Sequence, residues 1–91
     1  MQDKDLKVDI FTIELGKLLR EYREQNCNIA LEKLAFEYGI SKSTLSKIER
    51  GIHHCKLINL WKISEALGIK CSDLIKLLED RLGKDFHFLD E

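Results

Sequence analysis

Proline is absent from this chain, and glycine occurs only at Gly16, Gly39, Gly51, Gly68 and Gly83. Without proline no position is locked into a helix-breaking geometry, so helices can run uninterrupted and glycine becomes the main internal punctuation. Cysteine is sparse as well: Cys27, Cys55 and Cys71 are odd in number and form no C-x-x-C pair, which argues for reduced thiols rather than a disulfide framework. Apolar runs last only a few residues, far short of the ~20 needed to span a bilayer, and Met1 to Lys7 has no signal-peptide profile. These absences exclude a secreted scaffold and a helical membrane protein, and the expected location is the cytoplasm. Also missing are a glycine-rich phosphate loop, a nucleophile with an evident base, and a carboxylate pair on a scaffold able to enclose a substrate. No enzyme and no cofactor are therefore expected.

What is present is a globular balance, 44% hydrophobic and 34% charged, without low-complexity segments or repeats. At 91 residues this supports one domain over 1–91, with a core at about 9–82 and a tail at 83–91. The formal net charge of −1 looks wrong for a polyanion binder until it is resolved along the chain. Residues 16–70 carry ten lysines and arginines against six acids, while both ends are acidic. A basic middle is compatible with a local phosphate-binding face, though with weaker long-range steering than a uniformly basic protein would have.

The apolar periodicity predicts an all-α chain of five helices. From about Asp9 to Gln25, Ile10, Ile13, Leu15, Leu18, Leu19 and Tyr22 recur at three- and four-residue steps, with Gly16 interrupting but not breaking the pattern. A short second helix, roughly Ile29 to Tyr38, buries Leu31, Leu34 and Ala35 and stops at Gly39. Ser41 then stands where a hydroxyl caps the next helix, Lys42 to about Arg50, which turns Leu45 and Ile48 inward and ends at Gly51. A fourth helix follows, with the stripe Leu57, Leu60, Trp61, Ile63, Ser64 and Leu67 ending at Gly68. The fifth spans about Ser72 to Leu82. Its Leu74, Ile75, Leu77, Leu78 and Leu82 cover more of the circumference than one core contact needs, which predicts a second buried surface crossed by the tail Phe86 to Leu89.

Residues 31–51, LEKLAFEYGISKSTLSKIERG, set two short helices around a Gly39-Ile40-Ser41 turn, with small Ala35 where the helices approach. This is a helix-turn-helix pattern: the first helix braces the second, whose polar face projects into a major groove about 12 Å wide. Here that face is Lys42, Ser43, Thr44, Ser46, Lys47 and Arg50. Lys42, Ser43 and Lys47, at the start of the helix and one turn on, are the expected base readers, because lysine donates to guanine acceptors and serine pairs with either kind of group. Ser41, Thr44, Ser46 and Arg50 are placed for phosphates, which position a protein without reading sequence.

The run GISKSTLSKIERG, with Leu34-Ala35 upstream and Leu60, Ile63, Ala66 and Leu67 downstream, resembles the lambda repressor and Cro-like (XRE) family over about residues 16–78. Within it, LINLWKISEALGI at 57–69 is similar to the fourth-helix segment of restriction-modification controller proteins, which are small single-domain homodimers. The resemblance implies a lambda-repressor-like five-helix domain and an ion pair between Arg23 and Glu49 that fixes the recognition helix. Three departures stand out. Leu31 replaces a glutamine that the family often uses on phosphate. The loop holding His53, His54 and Cys55 lacks the proline the family favours, and one extra residue falls around Asn26 to Asn28.

His53, His54 and Cys55 fall short of the four ligands of structural zinc, so no metal is expected. Cys27 and Cys71 suit small core fillers. Trp61 fits either a core anchor or a dimer surface. As the latter it groups with Leu74, Ile75, Leu78, Leu82, Phe86 and Phe88 into a dimer interface built on the fifth helix and tail. The function expected is sequence-specific binding of duplex DNA by a homodimer on a palindromic operator, with no small-molecule effector. The rivals are an antitoxin of a toxin-antitoxin pair and a protein-interaction module that has lost its DNA contacts.

Overall fold

One face of the first helix goes into the core and the opposite face, also partly apolar, stays in water. The computed structural model describes residues 3–89, and these residues form five α-helices and no strand. They are α1 (Asp3–Glu21), α2 (Leu31–Glu37), α3 (Lys42–Glu49), α4 (Leu57–Leu67) and α5 (Cys71–Leu82). α1 starts six residues earlier than its apolar pattern indicates, because no glycine or proline in that stretch stops a helix. Its buried positions are Thr12, Leu15, Leu18, Leu19 and Arg23. Ile10 and Ile13, expected in the core, are 40% and 41% exposed. They repeat with the right period but sit about 100–160° around the helix from Thr12, on the far side.

Between α1 and α2, where the family resemblance implies an additional residue, the helix widens. Tyr22–Cys27 continue α1 as a π-helical turn, which closes at Asn28 in the left-handed region (φ 50°). The backbone N–H groups of Asn28 and Ile29 both donate to the Arg23 carbonyl. Inserting a residue this way keeps the backbone bonded while rotating the downstream chain, a common origin of π-turns inside α-helices.

Leu18, Leu19, Leu34, Leu45, Ile48, Leu60, Ile63, Leu67, Leu74 and Leu78 converge on one core. Each such leucine or isoleucine contributes roughly 1.5–3 kcal/mol on burial. Leu74 and Leu78 correct the expected dimer surface: at 0% and 2% exposure they are spent inside the protomer, where α5 packs on α1 and α4, and offer nothing to a partner. Ile75, Leu82 and Phe86 are half-buried, and Phe88 remains 41% exposed. The tail aromatics lie against α1, with ring centroids of Phe86 and Phe88 at 6.5 and 5.5 Å from that of Phe11 and 5.1 Å from each other. Spacings of this kind suit tilted and edge-to-face ring packing.

α5 is also clamped to α1 by Arg81, whose Nε donates to Glu14 (2.8 Å) and whose Nη1 and Nη2 donate to the two oxygens of Glu21 (2.9 and 3.0 Å). Hydrogen bonding from Arg81 holds the Glu21 carboxyl below its ordinary pKa, with partial burial opposing and the charges of Arg81 and Lys17 assisting. Since the folded value is the lower one, this contribution is complete above the ordinary carboxylate range and is lost as the pH falls through the depressed value. Arg81→Met should therefore melt lower than the parent at pH 7, and the gap between the two should narrow as the pH falls through the depressed Glu21 value. A gap that persists unchanged into acid would show that Arg81 acts through packing alone.

Candidate nucleic-acid interface

α3 projects from the surface because its two ends and its inner face are separately secured. At its start, the Ser41 hydroxyl accepts a hydrogen bond from the Thr44 backbone N–H (3.2 Å), satisfying one of the amides a helix leaves unpaired. That bond uses a lone pair and leaves the hydroxyl proton free to donate. Along its inner face, Leu45 and Ile48 are each 1% exposed and share one core with Leu34 and Ala35 of α2, the helix on which α3 packs. Ile40, in the turn between the helices, is also buried and donates its N–H to the Ala35 carbonyl (3.0 Å), which sets the α2–α3 angle. The chain leaves α3 through Gly51, at φ 74°. A Cβ there would lie 2.9 Å from Ile13 Cγ1, so both the backbone and the space call for glycine.

The third anchor is ionic. Arg23 Nε and Nη2 donate to the two carboxylate oxygens of Glu49 at 2.7 and 2.9 Å, and Arg23 Nη1 reaches the Ile29 carbonyl at 2.9 Å. The two side chains are 9% and 5% exposed. Hydrogen bonding to Glu49 holds the Arg23 proton more tightly than usual, against the opposing effect of burial. One guanidinium thus joins the π-turn, the approach to α2 and the last residue of α3, fixing the rotation of α3 relative to α1.

With the inner face so engaged, Lys42, Ser43 and Arg50 are exposed and Thr44, Ser46 and Lys47 half-buried. Arg50 folds back over Ser46, with Nε 3.2 Å from its Oγ and 3.4 Å from its carbonyl. Base-reading candidates Lys42, Ser43 and Lys47 and phosphate candidates Ser41, Thr44, Ser46 and Arg50 therefore lie together at the N-terminus and outward side of one helix. Leu31, at the start of α2, is half-buried against the core and presents no polar group.

Residues around the interface divide clearly. His53 and His54 are exposed, whereas burial pushes the Cys55 thiol up to about 11, with a smaller contribution from Cys71. At neutral pH that thiol stays protonated and is unsuited to attack. Among the described residues no group of three His, Cys, Asp or Glu is placed to hold a metal, and no helix is long and apolar enough to cross a membrane. Cys27 is half-buried, its Sγ 3.3 Å from the Leu67 carbonyl. Leu57, read from the sequence as core, is 68% exposed, and Ile58 and Trp61 are 70% and 57% exposed. Sequence periodicity set Leu57 in the buried stripe and did not single out Ile58, whereas Trp61 was open to either a core or a surface place. The visible signal was an apolar residue on each side of the helix entry, one turn before Trp61.

Comparison with known proteins agrees with this geometry. Residues 19–74 match the family model described as "Helix-turn-helix". The chain is 42% identical over 60 residues to control protein C.BamHI of Bacillus amyloliquefaciens, covering 66% of this chain and 74% of that one. It is 33% identical over 67 residues to control protein C.MunI of a Mycoplasma species, covering 74% and 90% of the two chains. The transcriptional regulator SlrR of Bacillus subtilis is 39% identical over 61 residues, 66% of this chain and 40% of that one. Among solved structures, the restriction-modification controller protein C.AhdI of Aeromonas hydrophila superposes with a TM-score of 0.64 at 33% identity, covering 69% of this chain and 94% of that one. An outward polar α3 braced by α2 and locked by a buried ion pair, on a fold and sequence shared with control proteins, places this chain in the XRE-type helix-turn-helix family of DNA-binding transcriptional regulators.

Proposed function

We propose that the protein is a transcriptional controller that binds a palindromic operator as a homodimer, one α3 entering the major groove at each half-site. The observation carrying this reading is the division of α3 into a locked inner face, Leu45, Ile48 and Glu49, and a polar outer one. A helix held on three sides presents its side chains with little reorganisation, which suits base-edge recognition. Two-fold symmetry then demands half-sites about 34 Å apart. Lys42, Ser43 and Lys47 read bases, and Ser41, Thr44, Ser46 and Arg50 grip phosphates. No cofactor or effector takes part, so occupancy follows the protein's own concentration through dimerisation.

Selection of bound duplexes from a random pool tests the proposal and should return an inverted repeat. Affinity for it should fall steeply as salt rises, because each neutralised phosphate releases counterions. Lys47→Ala should relax preference at one base position by about 1–3 kcal/mol, whereas Arg50→Ala should weaken cognate and random DNA alike. The relaxed position should appear twice, symmetrically, in sequences selected with the Lys47 variant. If both substitutions act equally on cognate and random duplexes, the assigned roles are wrong. Absent or salt-insensitive DNA affinity would favour a protein-interaction module instead.

A further inference from the structure

We infer that His53 is a further phosphate-gripping residue of the DNA interface, one that makes its contact only when its imidazole carries a proton. The inference deepens the operator-binding reading above and rests on it. α3 has eight residues, so at about 1.5 Å per residue it is about as long as the major groove is wide. With its N-terminal residues on base edges, its C-terminal end comes out at the rim of the groove, where the phosphates stand. The segment at that end, 52–56, does not swing away. The backbone N–H groups of Ile52 and His53 both donate to the Lys47 carbonyl, at 2.9 and 3.2 Å, which keeps His53 beside a base-reading residue.

The two adjacent histidines differ in their surroundings. His54 borders a hollow of about 240 Å³ together with Cys55 and, from α1, Val8, Phe11, Thr12 and Leu15. It lies toward the protein's own body. His53 is exposed and takes no part in that hollow.

Charge gives His53 its use. A helix carries the negative end of its dipole at its C-terminus, which disfavours a phosphate unless cations stand there. The charged side chains of the last turn of α3 and of the segment after it are Lys47, Arg50 and Lys56, all positive, and the Glu49 carboxylate, which is taken by Arg23. On α1, Asp9 stands one turn before Ile13, the residue against which Gly51 lies, and contributes no ion pair to this segment. The Cys55 thiol, pushed up to about 11 by burial, stays neutral. Among the described residues no ion pair involves either histidine. His53 is thus open to the anion that DNA brings. Histidine ordinarily changes charge between about pH 5 and 8, and an anion against it favours the charged form, so binding should strengthen as the pH falls.

Titration of a labelled duplex with the full chain at about pH 6 and about pH 8, at matched ionic strength and over a range of salt, tests this. The parent should bind about tenfold more tightly at the lower pH, roughly threefold for each of the two copies in a dimer, as exposed ionic contacts allow. The slope of log affinity against log salt should steepen there by about 1.8, for two further phosphates. Cognate and random duplexes should gain alike, because a phosphate contact reads no sequence. His53→Asn should lose the gain and the extra slope while keeping the parent's far-UV circular dichroism spectrum and its affinity at the higher pH. His53→Lys should bind at the higher pH as tightly as the parent does at the lower. His54→Asn and His87→Asn should behave as the parent. Salt-dependent binding that ignores pH, a gain that survives His53→Asn, or one that disappears in His54→Asn would overturn the role of His53 while leaving the operator-binding reading in place. Failure to bind any duplex at either pH would overturn that reading as well.

Discussion

Arg23→Ala is expected to lower the folding free energy by about 3–5 kcal/mol, the loss typical of leaving one member of a buried ion pair uncompensated. The residual Glu49 carboxylate would lie 5% exposed at the end of α3, deprived of two hydrogen bonds of 2.7 and 2.9 Å. It must then take up a proton, admit water or pull α3 away from α1, and each route costs stability. The Ile29 carbonyl loses its donor too, which loosens the π-turn. Small domains have only about 5–15 kcal/mol in total, so this variant should be partly unfolded at growth temperature. Urea denaturation at neutral pH checks the claim, and a midpoint equal to the parent's would refute it. Replacing both partners by apolar residues of similar size, Arg23→Met with Glu49→Leu, should recover most of the loss, because no charge is then left buried.

The second large effect is at Gly16. A Cβ built there would stand 2.6 Å from the Glu49 carbonyl oxygen and closer still to that of Ile48. These are backbone atoms of α3, unable to rotate away as a side chain would. Alanine in place of glycine inside a helix ordinarily gains about 1 kcal/mol. Overpacking costs roughly 1–3 kcal/mol, and the clash here is with rigid backbone, so the cost should prevail. Gly16→Ala should thus be less stable than the parent, and Gly16→Val less stable again. DNA affinity should fall alongside, since α1 can accept the methyl group only by displacing the recognition helix. A Gly16→Ala protein more stable than its parent would show that α1 and α3 separate at little cost.

Both effects depend on relations of unequal visibility in the chain. Ser41, Leu45, Ile48 and Gly51 mark α3 to within a residue, because capping, periodicity and the left-handed exit are local signals. Its polar outer face is equally plain. Arg23 and Glu49 lie 26 residues apart, and no periodicity connects them; family resemblance suggested the pair and the fold brings it together. Gly16 reads from sequence as a tolerated interruption, yet it is the point where two helices touch. Leu74 and Leu78 belong to an apolar run too wide for one contact, and the excess faces α1 and α4 within the same protomer.

Short-range physics written into the order of residues determined the five helices, their caps and the polar surface of α3, since each depends on neighbours within about a turn. The phase of α1, the inward use of α5, the exposure of Leu57 and Ile58, and the Arg23 lock were decided only in three dimensions. Several apolar stripes compete for one small core, and which of them goes inside depends on how helices distant along the chain fit together.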